Sequence, residues 1–305
     1  MSDATPSQRL CLNCEAELQG TFCHRCGQKA QNRRLPLKSL LHDVMHDLWH
    51  LDHKVLESLW LLVRHPGFLA EEYLNGRRVR HLPPFRLYVL SSFALFLAFS
   101  FVPVGDKGEG GKASHGIHLK TSGAEGGQGG TETKAEPAAE DQVEPTATAR
   151  PRKTANPPWV DALVARAKRA KEDPDRFYHA FLSNLSKSLF VLMPLFAGLL
   201  MLLHLRSKTL YVDHMVISLH HHVVSFLVIL LLMGLAALPG SGWGCLPGFL
   251  LFFAPPVHLA VSLQRLFKRG WVRSFIKAGL VSVAYGLILS VALLGLTILS
   301  LPKAG

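Results

Sequence analysis

The stretch YVDHMVISLHHHVVSFLVILLLMGLAAL, residues 211–238, decides the fold of this chain. Residues 216–238 contain no Asp, Glu, Lys or Arg, and a helix that crosses a hydrocarbon core needs about 20 consecutive apolar residues. A helix also satisfies its own backbone hydrogen bonds, which lipid cannot do for it. This stretch therefore predicts a transmembrane helix.

Four more apolar runs of similar length accompany it. The predicted spans are residues 85–104, 187–205, 216–238, 243–263 and 275–301. The fold class that they predict is an all-α polytopic membrane protein with about five transmembrane helices, the last four forming a region at residues 187–305. Because the N-terminus is polar, no cleavable signal peptide is expected.

Basic residues cluster in the segments on one side of these spans. The clusters are Arg77, Arg78, Arg80 and Arg86, then Arg206 and Lys208, and finally Arg265, Lys268, Arg269 and Arg273. Short loops rich in Lys and Arg stay cytoplasmic, so the N-terminus is predicted inside and the C-terminus outside. The net charge of +11 then belongs to membrane-flanking loops and not to a nucleic-acid site.

The longest connection, between the first two spans, is predicted on the periplasmic side. Residues 105–158 are rich in Gly, Ala, Glu, Thr and Pro and hold almost no large apolar residue, so they predict a disordered linker. Residues 159–186 have helical periodicity, with Val160, Leu163, Val164 and Ala167 on one face. They predict an amphipathic helix, lying on the membrane surface or extending the second span outward.

Two Cys-x-x-Cys pairs, separated by eight residues, stand near the start of the chain. Cys11, Cys14, Cys23 and Cys26 offer four sulfurs, the set that structural zinc binds tetrahedrally. Residues 1–30 are therefore predicted to form a zinc ribbon, with disulfides or a redox pair as the alternative. Thiolates persist in a reducing compartment, which again indicates a cytosolic N-terminus. His24, inside the second pair, is interpreted as a residue that does not bind the metal.

Between the ribbon and the first span, residues 31–84 predict membrane-proximal amphipathic helices. Leu56, Leu59, Trp60 and Val63 form one apolar face. The cysteine pairs, the stretch LDHKVLESLWLLVRHPGFLAEEYLNGRRVRHLPPFRLY and the later YVDHMVISLHHH together resemble the bacterial membrane proteins grouped as domain of unknown function 3667. The resemblance implies a zinc ribbon ahead of a multi-span domain in a bacterial inner membrane, and it implies no activity.

Histidines give two candidate sites. In the first, His42, His46, His50 and His53 share a helical face that is either a solvated polar surface or a metal site. In the second, His221 and His258 are predicted at a common depth, assisted by His214, His222 or His204. Because ionisable residues inside a span are costly, these predict either interfacial anchors or a second metal, haem or proton-relay site. The double proline Pro255–Pro256 is predicted to break the helix beside His258.

The resulting functional hypothesis is a zinc-ribbon adaptor, assembly factor or sensor that binds a protein partner at the cytosolic face and lipid through its spans. The alternative is a membrane metal- or haem-binding oxidoreductase that uses the intramembrane histidines, and the second alternative is a transporter. No phosphate-binding loop, Ser-His-Asp arrangement or intramembrane carboxylate favours an ordinary enzyme or an ion pump.

Overall fold

The computed structural model of the chain describes residues 10–30, 54–102, 157–205, 209–238 and 246–302. Its helices are α1 Lys54–Arg64, α2 Phe68–Leu74, α3 Pro84–Ser100, α4 Pro158–Glu172, α5 Pro174–Leu203, α6 Tyr211–Ala236, α7 Leu246–Phe267 and α8 Trp271–Ser300. Two isolated antiparallel bridges, Leu10 with Glu17 and Phe22 with Lys29, hold the cysteine segment. The predicted all-helical architecture is confirmed. The predicted linker and the first histidine stripe (His42 to His53) lie outside the described residues, apart from the linker's last residues, where α4 begins at Pro158.

Four helices, α5 to α8, are long and apolar enough to cross a membrane, and α3 is a shorter apolar helix of 17 residues. The chain is thus a multi-span membrane protein. α6 is the central helix, packed against α3, α5 and α7, while α8 packs against α5 and α7. Of the residues in the apolar 18-residue stretch of α6, 61% are buried, against at most 28% in the corresponding stretches of α5, α7 and α8. Histidines in α6 therefore face protein.

Two details differ from the sequence-based expectations. The amphipathic segment is divided at Asp173, because Pro174 cannot continue a helix and the Asp173 carboxylate accepts the N–H of Arg176 as an N-cap. α5 thus starts well before residue 187. The prediction that Pro255–Pro256 breaks its helix is wrong, since α7 continues through both prolines. Transmembrane helices tolerate proline where neighbouring groups satisfy the freed carbonyls.

The helices define two ends of the bundle. At the first end Arg265 of α7 binds Glu71 of α2, and Lys277 of α8 donates to the Leu203 carbonyl at the end of α5. We call this the basic end, since the segments around residues 77–86 and 265–273 meet there. At the opposite end Tyr178 donates to the Phe99 carbonyl and Arg166 to that of Leu301.

The apolar face predicted on α1 does not enter the core as a unit. Leu56, Trp60 and Val63 are all exposed, whereas Leu62 and Ser58 are buried and Leu59 packs partly against the core. The reason is the anchoring of α1 by the Ser58 hydroxyl, which accepts the Leu82 N–H, and by the Leu62 carbonyl, which binds His258. These polar contacts fix the rotation of the helix and turn its most apolar stripe outward.

Candidate metal centre and histidine cluster

Four cysteine sulfurs converge in the N-terminal segment. Their atoms lie within 4.8 Å of one another, with 3.6 Å between the sulfurs of Cys11 and Cys26 and 3.5 Å between those of Cys14 and Cys23. Zinc–sulfur bonds of about 2.3 Å in a tetrahedron place sulfurs roughly 3.8 Å apart. The four residues predicted as ligands therefore fit one zinc-sized ion.

The two halves of the cluster repeat one local structure. The N–H of Cys11 bonds the Ala16 carbonyl as the N–H of Cys23 bonds that of Gln28. The residue after each second cysteine, Glu15 or Gly27, has a positive φ of 61° or 73°. This turn folds the chain back beneath the pair and points both sulfurs to one side, as a metal knuckle requires.

The pKa values of two thiols indicate that a bound cation is needed to keep the cluster ionised. The backbone N–H of Cys26 lowers the pKa of the Cys23 thiol to about 6. At Cys14 the Ala16 backbone N–H lowers the pKa, but burial and the neighbouring thiols raise it to about 12. One sulfur thus ionises readily while another resists adding a second negative charge, so a cation is needed to hold all four as thiolates.

The ribbon is attached to the helical part through Gln28. This side chain is 7% exposed, donates to the Gly76 carbonyl at 2.8 Å and accepts the Arg78 N–H at 3.1 Å. Leu12 also lies directly against Gly76, where a Cβ would come within 2.6 Å of its side chain. The four-cysteine cluster is therefore held at the basic end of the bundle.

The predicted pair His221 and His258 does come together. Both line a small cavity of about 10 Å³ between α2, α6 and α7, and His220 lines it as well. His221 stacks on Phe196 at 4.5 Å between ring centroids, and His258 binds the Leu62 carbonyl through Nε2 at 2.9 Å. Nε2 of His220 and Nδ1 of His221 are buried without a hydrogen-bond partner among the described residues.

The other three histidines predicted for this site have different surroundings. His222 binds the Ser218 carbonyl through Nδ1 and the Tyr285 hydroxyl through Nε2, both at 2.8 Å. His204 and His214 stack on each other and on Phe267 at the basic end, with centroids 5.4 Å apart between the two histidines. These contacts place both rings at the junction of α5, α6 and α7.

The cavity lined by His220, His221 and His258 is too small for a large ligand. A volume of about 10 Å³ accommodates at most one water or a single ion, so a haem macrocycle does not fit between these helices. Within the described parts of the chain, only the four cysteines bring three or more metal-ligating atoms together. A metal at His221 and His258 stays a prediction, in which their two imidazoles would be its protein ligands.

Several functional positions escaped the sequence analysis. The contacts of Gln28 cannot be predicted from the sequence, because a single polar residue after a metal knuckle indicates no partner. His220 is not among the predicted residues, although its ring lies on the same helical turn as that of His221. The ion pair between Glu71 and Arg265, at 2.7 Å, links segments 194 residues apart and left no local trace in the sequence.

Comparison with known proteins supports the resemblance inferred from the sequence. The family model described as "Protein of unknown function (DUF3667)" matches residues 52–96, which cover all of α1 and α2 and most of α3. No curated protein and no solved structure matches the chain. The chain is thus similar to this family of unknown function over the helices that hold the ribbon and contact the histidine cavity.

Proposed function

We propose that this chain is an inner-membrane protein that crosses the bilayer five times and presents its ribbon, loaded with zinc, to a partner protein in the cytosol. The observation that carries this proposal is the fixed attachment of the ribbon through Gln28. A ribbon held by buried hydrogen bonds is a rigid platform, and binding to a rigid platform costs less conformational entropy.

The outer surface of the ribbon supports a docking role. Leu10 is 57% exposed and Phe22 59% exposed, although each forms part of a β-bridge. Exposed large apolar side chains on so small a unit are typical of residues that a partner covers. A closed four-sulfur shell leaves zinc no open position, so the metal would stabilise the fold and not react.

The partner role is tested by photo-crosslinking in living cells. A photoreactive residue in place of Phe22 is expected to form a reproducible adduct with one cytosolic or membrane protein. The Cys23→Ser change should abolish the adduct, because without zinc the ribbon surface is not formed. A photoreactive residue in place of Trp159, exposed at the opposite end of the bundle, is the matched control and should not yield this adduct. Adducts unaffected by Cys23→Ser would contradict the adaptor role.

The fifth span and the orientation form a second testable part. α3 has 17 residues, about 25 Å of helix, and its end reaches Tyr178 at the end of the bundle opposite the ribbon. We therefore expect a fluorescent cytosolic reporter to be active before Met1 and a periplasm-dependent phosphatase to be active after Gly305. Exchanging the reporters should silence both. A phosphatase active before Met1 would refute the orientation, and one inactive after Gly305 would refute the odd number of crossings.

A further inference from the structure

A second cavity, larger than the one beside His221, lies at the basic end where α5, α7 and α8 meet. We call it the basic cavity, and its volume is about 40 Å³. Its lining includes His204, Leu263, Phe267, Arg269, Arg273 and Lys277. A volume of this size holds more than one water molecule, so it leaves room for a small polyatomic group.

The charge in this cavity is unbalanced. Residues 246–302 contain no Asp or Glu. Neither ion pair of the described chain, Glu72 with Arg77 or Glu71 with Arg265, includes a residue of the cavity. Lys277 donates to the Leu203 carbonyl, whereas Arg269 and Arg273 make no ion pair with any described residue. Arg269 and Arg273 are exposed, and clustered cations repel one another unless an anion lies between them.

The position of the cations along α8 adds to this imbalance. α8 begins at Trp271, so Arg273 stands in its first turn, and Gly270 supplies no side-chain cap. The N-terminus of a helix carries a partial positive charge, and basic side chains there are disfavoured. The backbone N–H groups in the first turn of a helix and the guanidinium groups beside them favour a bound phosphate.

The surroundings of the basic cavity indicate where an anion would come from. Trp271, Val272 and Ile276 beside it are 52%, 73% and 57% exposed. Exposed apolar residues at the start of an apolar helix meet the boundary between headgroups and acyl chains. Basic pockets between transmembrane helices are suited to anionic headgroups.

We propose that the basic cavity binds a phosphate group, with Arg269 and Arg273 as its charged ligands, and that an anionic phospholipid supplies this group. The proposal goes beyond the adaptor role and does not depend on it. It differs from general attraction of basic loops to a membrane surface, because it assigns one phosphate to one site per chain.

The test uses the full chain purified in a non-ionic detergent. Native mass spectrometry would count bound lipid on titration with phosphatidylglycerol or phosphatidylcholine, and calorimetry would follow inorganic phosphate. The Arg269→Gln/Arg273→Gln variant is expected to lose about thirtyfold in affinity, from the typical contribution of two charges near a membrane surface. The control Arg64→Gln/Lys268→Gln removes the same charge from residues that are equally exposed but do not line the cavity, and it should bind within about twofold, a small energy on this scale.

The outcomes separate the sources of phosphate. One phosphatidylglycerol retained per chain, lost in the Arg269/Arg273 variant and kept in the control, supports a lipid site. Binding of inorganic phosphate with the same variant dependence, and no preference between the lipids, supports a site for free phosphate. Equal weakening in both variants, or no binding of either probe, would overturn the proposal. The Arg269→Lys/Arg273→Lys variant keeps the charge and should retain binding, which separates loss of a ligand from loss of fold.

Discussion

The Cys23→Ser variant is expected to lose the metal from the ribbon, lowering the zinc content from about one ion per chain to nearly none. Cys23 is buried within the four-sulfur cluster, 3.5 Å from Cys14, and its thiol has the lower pKa, about 6. A serine hydroxyl does not ionise at neutral pH and leaves three sulfurs around the ion. Structural zinc contributes on the order of 10–16 kcal/mol to the folding of small domains, so the ribbon should unfold with the loss.

Elemental analysis of the purified full-length chain, combined with limited proteolysis, measures this effect. The Cys23→Ser ribbon should become cleavable by protease while the helical region stays intact, because its core lies in separate contacts among α3, α5, α6 and α7. His24→Ala is the matched control, since His24 is exposed beside Cys23 and is not part of the cysteine cluster. Full zinc retention in Cys23→Ser, or loss in His24→Ala, would show that the ligand set is wrong.

The Gly67→Ala variant is expected to destabilise the membrane domain by about 2 kcal/mol or more, the typical cost of a left-handed backbone with a Cβ plus a backbone clash. Gly67 is the N-cap residue of α2 and has a φ of 79°. A Cβ there would lie 2.9 Å from Ser262 Cα and 3.1 Å from the Ser262 carbonyl oxygen in α7. Backbone atoms cannot rotate away as a side chain would, so α2 and α7 must separate.

That separation should have a second measurable effect. The bond of His258 to Leu62 joins α7 to α1, and that of Arg265 to Glu71 joins α7 to α2, so the two bonds lie on either side of Gly67. We therefore expect a lower Tm in detergent together with faster hydrogen exchange in α1 and α2. The matched control is Gly198→Ala in α5, where a Cβ meets nothing within 4 Å and the helical backbone accepts alanine. A Tm equal to that of the wild type would contradict the close approach of α2 and α7.

The structure also changes how the histidine-rich stretch of α6 is understood. The sequence groups His221 and His222 with His258 as one candidate site, but the three consecutive histidines of α6 point to different neighbours. His220 and His221 face the small cavity, whereas His222 faces Tyr285. Successive residues on a helix are rotated by about 100°, so adjacent histidines cannot all serve one ion without help from other helices.

The sequence by itself determined the apolar helices, the four-cysteine cluster and the grouping of basic residues at one end of the bundle. These features depend on local chemistry: a long apolar run must form helix in lipid, and Cys-x-x-Cys spacing fixes where two sulfurs can meet. The physical basis is the same in any tertiary arrangement, which is why they could be predicted from residues close together in the chain.

Only the tertiary structure decided which face of each helix is turned inward. Three features depend on the rotation and crossing of helices: the outward stripe of α1, the attachment of Gln28 at Gly76 and the unbalanced cations around Arg273. A span that is apolar on every side carries no moment to fix its rotation. Packing and a few long-range polar bonds set it instead, and these join residues that the sequence keeps far apart.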